Sequence, residues 1–181
     1  MRHLVMGSLM VAVLGVQDYS AAFAKIGTST DITLYNLKRG EDTVTMMEPA
    51  RYPERLAPLF YAVSEVKEAV VVVDELNAAL GESLVMLQCC GVSKGYFILR
   101  NYVPKEKIQP IIKGTSLENF EFVTDDANQL REKLLADAAK QKPASSAQTI
   151  GTVPVDHAFN VKGVGVVVLG ISVFVDSRSS R

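Results

Sequence analysis

The sequence has 181 residues, 48% of them hydrophobic, which suits one main globular domain with room for a smaller second piece. Its 19 basic and 20 acidic residues give a formal net charge of −1, so no basic footprint for nucleic acid spans the whole chain. The two cysteines, Cys89 and Cys90, are adjacent. That excludes a disulfide framework or a zinc-ligand spacing and reads as two buried small apolar residues in a reducing, cytoplasmic setting.

Residues 1–24 carry Arg2, an apolar stretch from Leu4 to Val16 and small residues at Ala22 and Ala24, a pattern that fits a secretory signal peptide. The same stretch reads as a buried strand at Met10 to Leu14, and the chain downstream makes sense only if that strand is kept. The run is too short to cross a bilayer as a helix, which takes about 20 residues, and no membrane partner is expected.

Further strands are predicted at Ile32 to Asn36, Thr43 to Met47, Ala69 to Val73 and Gly95 to Leu99. The short, continuous, β-rich runs from Ala69 and from Tyr96 are those of strands buried on both faces. Helices are predicted at Pro53 to Val66, Gly81 to Gly91, Pro104 to Ile112 and Asp126 to Lys140. In the last of these, Leu130, Leu134 and Leu135 share one face. Alternating strands and helices imply a parallel α/β sheet. Lys38 and Arg39 precede Gly40 at a turn tip between two strands. Asp74 and Glu75 end a strand and read as a solvated strand end. Lys140 to Gln148 is a polar linker, and two β runs then flank the Lys162-Gly163-Val164-Gly165 turn of a hairpin.

This order resembles a translation GTPase followed by its domain II barrel. The most specific stretch is Thr152 to Gly170. It is similar to the opening of domain II in SelB-type elongation factors, with Pro154, Val155, Asp156, Phe159, Lys162, Gly163, Gly165, Val167 and Gly170 matching. Val70 to Leu99 resembles the family stretch that leads to the guanine-reading loop. The likeness is nearest to the SelB-like factors of methanogenic archaea, sometimes labelled EF-Pyl. It implies a P-loop-GTPase-like, mainly parallel sheet with flanking helices, followed by the start of a β-barrel domain II. The implied organisation is a G domain at 1–140, a linker at 141–149 and the first barrel strands at 150–181, a chain truncated within domain II.

The family's nucleotide signatures are eroded. A phosphate loop needs glycines that bare backbone N–H groups, a Lys for the phosphate charge and a Ser or Thr for Mg²⁺. In register with Gly-His-Val-Asp-His-Gly-Lys-Thr, this chain keeps Gly15 and Asp18. Ser20 stands for the second Gly, Ala21 for the Lys and Ala22 for the Mg²⁺ ligand. Lys25 falls at a helix position that cannot replace that Lys. The second switch, Asp-x-Pro-Gly-His in the family, aligns with Glu48, Pro49 and Arg51. Only Pro49 is kept, and Arg51 reads as a surface salt-bridge residue. The base reader, Asn-Lys-x-Asp, aligns with Arg100, Asn101 and Val103, and Val103 offers guanine no acceptor.

The resemblance implies GTP and magnesium as cofactors and aminoacyl-tRNA and the ribosome as partners of complete relatives. The three lost signatures imply weak or no GTPase activity here, no catalytic residue, no metal ligand and no required cofactor. The alternatives are a nucleotide-binding enzyme with an altered phosphate site and an exported protein with a cleaved signal.

Overall fold

In a computed structural model, which describes residues 7–141, 149–152, 155–170 and 173–176, the apolar runs of the sequence become strands. The chain divides into two units, Met1–Pro143 and Ala144–Arg181. In chain order the first contains β1 (Ser8–Leu14), β2 (Lys25–Ser29), β3 (Ile32–Arg39), β4 (Asp42–Pro49), α1 (Leu56–Ser64), β5 (Glu68–Val73), α2 (Ala78–Cys89), β6 (Lys94–Leu99), α3 (Lys105–Ile112), β7 (Glu121–Val123) and α4 (Ala127–Lys140). Seven strands form one sheet in the order β2-β3-β4-β1-β5-β6-β7. The four pairings from β4 through β7 are parallel, and the two between β2, β3 and β4 are antiparallel.

Hydrophobicity explains the order. Every residue of β5 is buried, as is each of Val11 to Leu14 in β1. These two strands lie side by side in the middle of the sheet, with β4 and β6 outside them, so both faces are covered. The residues that fit a signal peptide by composition thus include the sheet's central strand. Along one face, Leu130, Leu134, Leu135 and Ala138 of α4 pack with Val11, Val13, Val44, Met46, Val70 and Val72. Phe97 is fully buried, with its ring centroid 5.2 Å from that of Phe122 and 5.4 Å from that of Phe120.

Helix entries follow capping chemistry. Asp126 accepts from the amides of Asn128 and Gln129 at the start of α4. Asn77 accepts from the Leu80 amide at 2.8 Å and so starts α2 at Ala78, three residues before the predicted Gly81. Beyond the end of α2, Gly91 takes φ +74. Cys89 is exposed and Cys90 half-buried, on the solvent side of a last turn whose Leu87 faces the core; the expectation of two buried thiols was wrong.

Two strands of this unit escaped prediction, as did β8 (Thr149–Thr152) and β11 (Val173–Asp176) of the second. The β2 strand is exposed at every residue, and β7 is three residues long. A second correction concerns Lys25, which begins β2 and is not in a helix. The Lys38-Arg39-Gly40 tip does join two strands, with Arg39 opposite Asp42, and the Arg39 guanidinium pairs with Glu132 of α4.

The second unit contains β8 (Thr149–Thr152), β9 (Val155–Val161), β10 (Gly165–Gly170) and β11 (Val173–Asp176). The expected hairpin is present: β9 and β10 pair antiparallel, Val161 opposite Gly165, and the Val164 amide donates to the Val161 carbonyl at 3.0 Å. The β11 strand pairs antiparallel with β8. The polar linker falls largely on residues 142–148, and Pro154 is also outside the described residues.

Candidate functional site: the carboxyl edge of the sheet

From β1 the chain leads away to β4 on one side, and from β5 it continues to β6 on the other. The carboxyl ends of β1 and β5 therefore flank the point at which an open α/β sheet places its ligands. A cavity of about 450 Å³ lies there. Its walls include Val13 and Gly15 from β1 and its loop, Glu48 and Pro49 from β4, Val72 and Asp74 from β5 and its end, and Asn101 beyond β6.

The loop after β1 does not lead into an α-helix. A P-loop runs from a strand into a helix whose N-terminal amides meet the phosphates. Here β1 is followed by a four-residue 3-10 turn, Tyr19–Ala22, and then by β2. The turn is fastened on three sides. Asp18, at φ 56, accepts a hydrogen bond from the Tyr35 hydroxyl of β3 at 2.6 Å. The Tyr19 hydroxyl donates to Asp125 at 2.7 Å. The Ser20 amide donates to Glu48 Oε1 at 2.8 Å, across 28 residues of sequence. Burial and these carboxylate acceptors push the Tyr19 and Tyr35 hydroxyls well above the usual tyrosine range.

Glu48 is 3% exposed and Ser20 fully buried. One oxygen of Glu48 takes the Ser20 amide, while Glu48 Oε2 and Ser20 Oγ have no hydrogen-bond partner. A carboxylate thus holds a loop amide of the kind that a phosphate oxygen takes in a P-loop. Burial raises the pKa of Glu48 above 4.5, and the hydrogen bonds that the carboxylate accepts from the loop at Ser20 and Asp18 oppose that rise. The folded state then binds the proton more tightly than the unfolded state, so Glu48 lowers stability as pH rises from the ordinary carboxylate pKa through its raised value. Glu48→Gln keeps an acceptor for Ser20 and removes the titration. It is expected to flatten the profile of stability against pH and to be at least as stable as the parent at neutral pH. Urea midpoints between about pH 4 and 8 test this, and an unchanged slope would contradict it.

The other predicted site residues scatter. Ala21 and Ala22 are exposed. Arg51 is also exposed and lies 3.4 Å from Asp31, which Arg55 approaches at 3.1 Å, so it sits in a surface salt-bridge cluster. Arg100 lies between Asp125 at 3.1 Å and Asp74 at 3.5 Å. Asn101, at φ 49, reaches the cavity, whereas Val103 is half-buried and its amide donates back to Arg100. The sheet edge therefore brings together Gly15, Glu48, Pro49 and Asn101, and leaves Ala21, Ala22, Arg51 and Val103 out of the wall.

Sequence reasoning passed over Gln17, Tyr52 and Asn77, which also line the cavity. It also treated Asp74 and Glu75 as a solvated strand end. Both line the cavity, and Asp74 Oδ1 is buried. The one available signal was their place at the carboxyl end of a central strand.

GTP with magnesium fits this edge poorly. Three carboxylates, from Glu48, Asp74 and Glu75, line the cavity, and among the described residues no Lys or Arg does. A polyphosphate would meet like charge and find the Ser20 amide taken. Among the described residues no three His, Cys, Asp or Glu side chains cluster as metal ligands. No helix among them is long and apolar enough to cross a membrane.

These elements define a P-loop-GTPase-like α/β fold, one shared with solved selenocysteine-specific elongation factors. The chain is similar to the elongation factor SelB of Methanococcus maripaludis, solved in complex with the GTP analogue GppNHp. The TM-score is 0.69 at 17% identity, over 94% of this chain and 42% of that one. It is equally similar to a bacterial selenocysteine-specific elongation factor EF-Sec, with a TM-score of 0.69 at 18% identity over 92% of this chain and 34% of that one. In sequence it is 37% identical over 166 residues to an uncharacterised protein of Methanocaldococcus jannaschii, covering 91% of this chain and 53% of the relative. The chain thus spans about half the length of that relative and less than half of the solved factors. No protein-family model matches it.

Proposed function

We propose that this chain is a SelB/EF-Tu-like translation factor whose G domain has given up GTP binding and hydrolysis. The observation that carries this reading is the Ser20 amide bonded to the buried Glu48 carboxylate where a phosphate loop would offer free donors. The missing helix after β1 and the acidic cavity wall support it. In this reading residues 1–140 are a degenerate G domain, 141–149 a linker and 150–181 the opening of a β-barrel domain II. Aminoacyl-tRNA and the ribosome are the partners, and the setting is cytoplasmic. Kinship with the SelB-like factors of methanogenic archaea belongs to the same proposal. It is supported by the methanogen sources of the sequence relative and of a structural neighbour.

Chemically, Arg51 and Glu48, the residues aligned with the family's second switch, are not free to orient an attacking water. Arg51 is engaged with Asp31, and Glu48 is committed to Ser20. Isothermal titration with GTP and Mg²⁺ is expected to give no saturable heat below millimolar concentration. Micromolar affinity would instead establish the alternative, a nucleotide-binding enzyme with an altered phosphate site.

A further inference from the structure

Helix α1 reads Leu-Ala-Pro-Leu-Phe-Tyr-Ala-Val-Ser and carries no charged side chain. Pro58, Leu59, Ala62 and Val63 are buried on its inner face. The opposite stripe, Leu56, Ala57, Phe60 and Tyr61, is just as apolar and is exposed. Leu56 is 54% exposed, Phe60 46% and Tyr61 57%. A helix that is apolar all round is normally buried all round, so this outer stripe lacks a cover.

Helix α2 lies beside α1. Its exposed stripe is Ala78, Gly81, Val85, Gln88 and Cys89, with Glu82 as the one charge. The Tyr52 hydroxyl already donates to Glu82 Oε2 at 3.0 Å. The other helices differ: α3 exposes Lys105, Glu106 and Lys107, and α4 exposes Glu132 and Lys140. Surface charge is thus withheld from one helix pair. The two stripes also differ in relief. On α1 the Phe60 and Tyr61 rings stand edge to face, with centroids 5.5 Å apart. On α2 the small residues Ala78 and Gly81 leave a shallow floor, where a Cβ added to Gly81 would meet nothing within 4 Å.

We infer that this face joins two copies of the chain in a twofold dimer, with Phe60 and Tyr61 of each copy packed on Ala78 and Gly81 of the other. A ridge beside a floor is self-complementary about a twofold axis, because each ridge meets the other copy's floor, and that is what an isologous contact needs. A nearly uncharged face can also meet its own image without like-charge repulsion. Leu56, Phe60, Tyr61 and Val85 together expose roughly 400 Å², a patch of the size that is often functional. With the small residues between them, two facing copies bury about 1,000 Å² in total, the area at which a specific pair becomes stable. The inference does not depend on whether the sheet edge takes a nucleotide.

The test is sedimentation velocity on the full chain over a range of concentrations at physiological salt. A monomer–dimer equilibrium with the dimer dominant by about 100 µM is expected. Phe60→Glu sets a charge in the contact and should weaken the dimer at least about tenfold, with circular dichroism unchanged. Gly81→Arg obstructs the floor and should do the same. The open space at Gly81 and the better helix propensity of Arg keep the single copy folded, so this variant decides alone if Phe60→Glu fails to fold. Glu132→Gln, on the exposed side of α4, should leave the dimer intact. A chain that stays monomeric at about 100 µM overturns the inference and leaves the face to a different molecule. A dimer that Gly81→Arg leaves intact overturns it too, as does one that Glu132→Gln weakens equally.

Discussion

Lys94→Met is expected to destabilise the chain by about 3 kcal/mol, because it leaves a buried carboxylate without its cation. Lys94 Nζ lies 2.7 Å from Glu68 Oε1 and 3.1 Å from Asp137 Oδ1, and both acidic side chains are 5% exposed. Asp137 has other partners, the Tyr96 hydroxyl and Lys140. Glu68 depends on Lys94, and its Oε2 is already without a partner. The lysine is itself half exposed, which holds the expected cost to the lower end of the range for a broken buried pair. Since the cost comes from the stranded charge, Lys94→Met combined with Glu68→Gln should recover much of the loss. Urea unfolding of the two variants checks both statements, and a double variant no better than the single one contradicts the second.

The cluster also sets an acid limit. Burial pushes the Asp137 carboxyl up, but hydrogen bonds from Tyr96, Lys94 and Lys140 outweigh it and hold the pKa below 3.8. Asp137 therefore contributes stability above the ordinary aspartate pKa, and that contribution is lost as pH falls through its depressed value.

The second large effect is at Gly15. Gly15→Ala is expected to cost roughly 3 kcal/mol or more. Gly15 has φ +100, which side-chain-bearing residues rarely adopt, and a Cβ there would collide with the Val72 carbonyl oxygen. The glycine lets the end of β1 turn closely past β5. Packing alone thus accounts for a glycine at this position, with no phosphate required. Thermal or urea unfolding of Gly15→Ala decides the matter, and a variant as stable as the parent contradicts that account.

The parallel core could be read from the sequence because Val70 to Val73 and Phe97 to Leu99 are continuous apolar runs bounded by polar turns. The Lys162-Gly163-Val164-Gly165 hairpin could be read from its turn chemistry. Edge strands could not: Lys25–Ser29 has no buried face to impose an alternating pattern, and Glu121–Val123 is too short for one. At the candidate site, the departures from the family's phosphate-loop pattern at Ser20, Ala21 and Ala22 could be read from the sequence. The contacts that hold the loop were not visible. The Ser20–Glu48 bond joins residues 28 apart, and no local periodicity encodes such a pair. In sequence Glu48 stands only as a residue aligned with the family's second switch, whereas in the fold it is an acceptor for a loop amide. Asp74 and Glu75 show the same limit, since only the neighbouring strands turn a strand end into a cavity wall.

The central claim, that Glu48 holds the loop amide in place of a nucleotide phosphate, is tested most directly on the Ser20 amide itself. Its proton resonance, recorded through a pH titration with and without millimolar GTP and Mg²⁺, should lie downfield as expected for a charge-assisted hydrogen bond. It should follow the titration of Glu48 and stay indifferent to the nucleotide. A Ser20 resonance that shifts saturably with GTP and ceases to follow Glu48 would contradict the account.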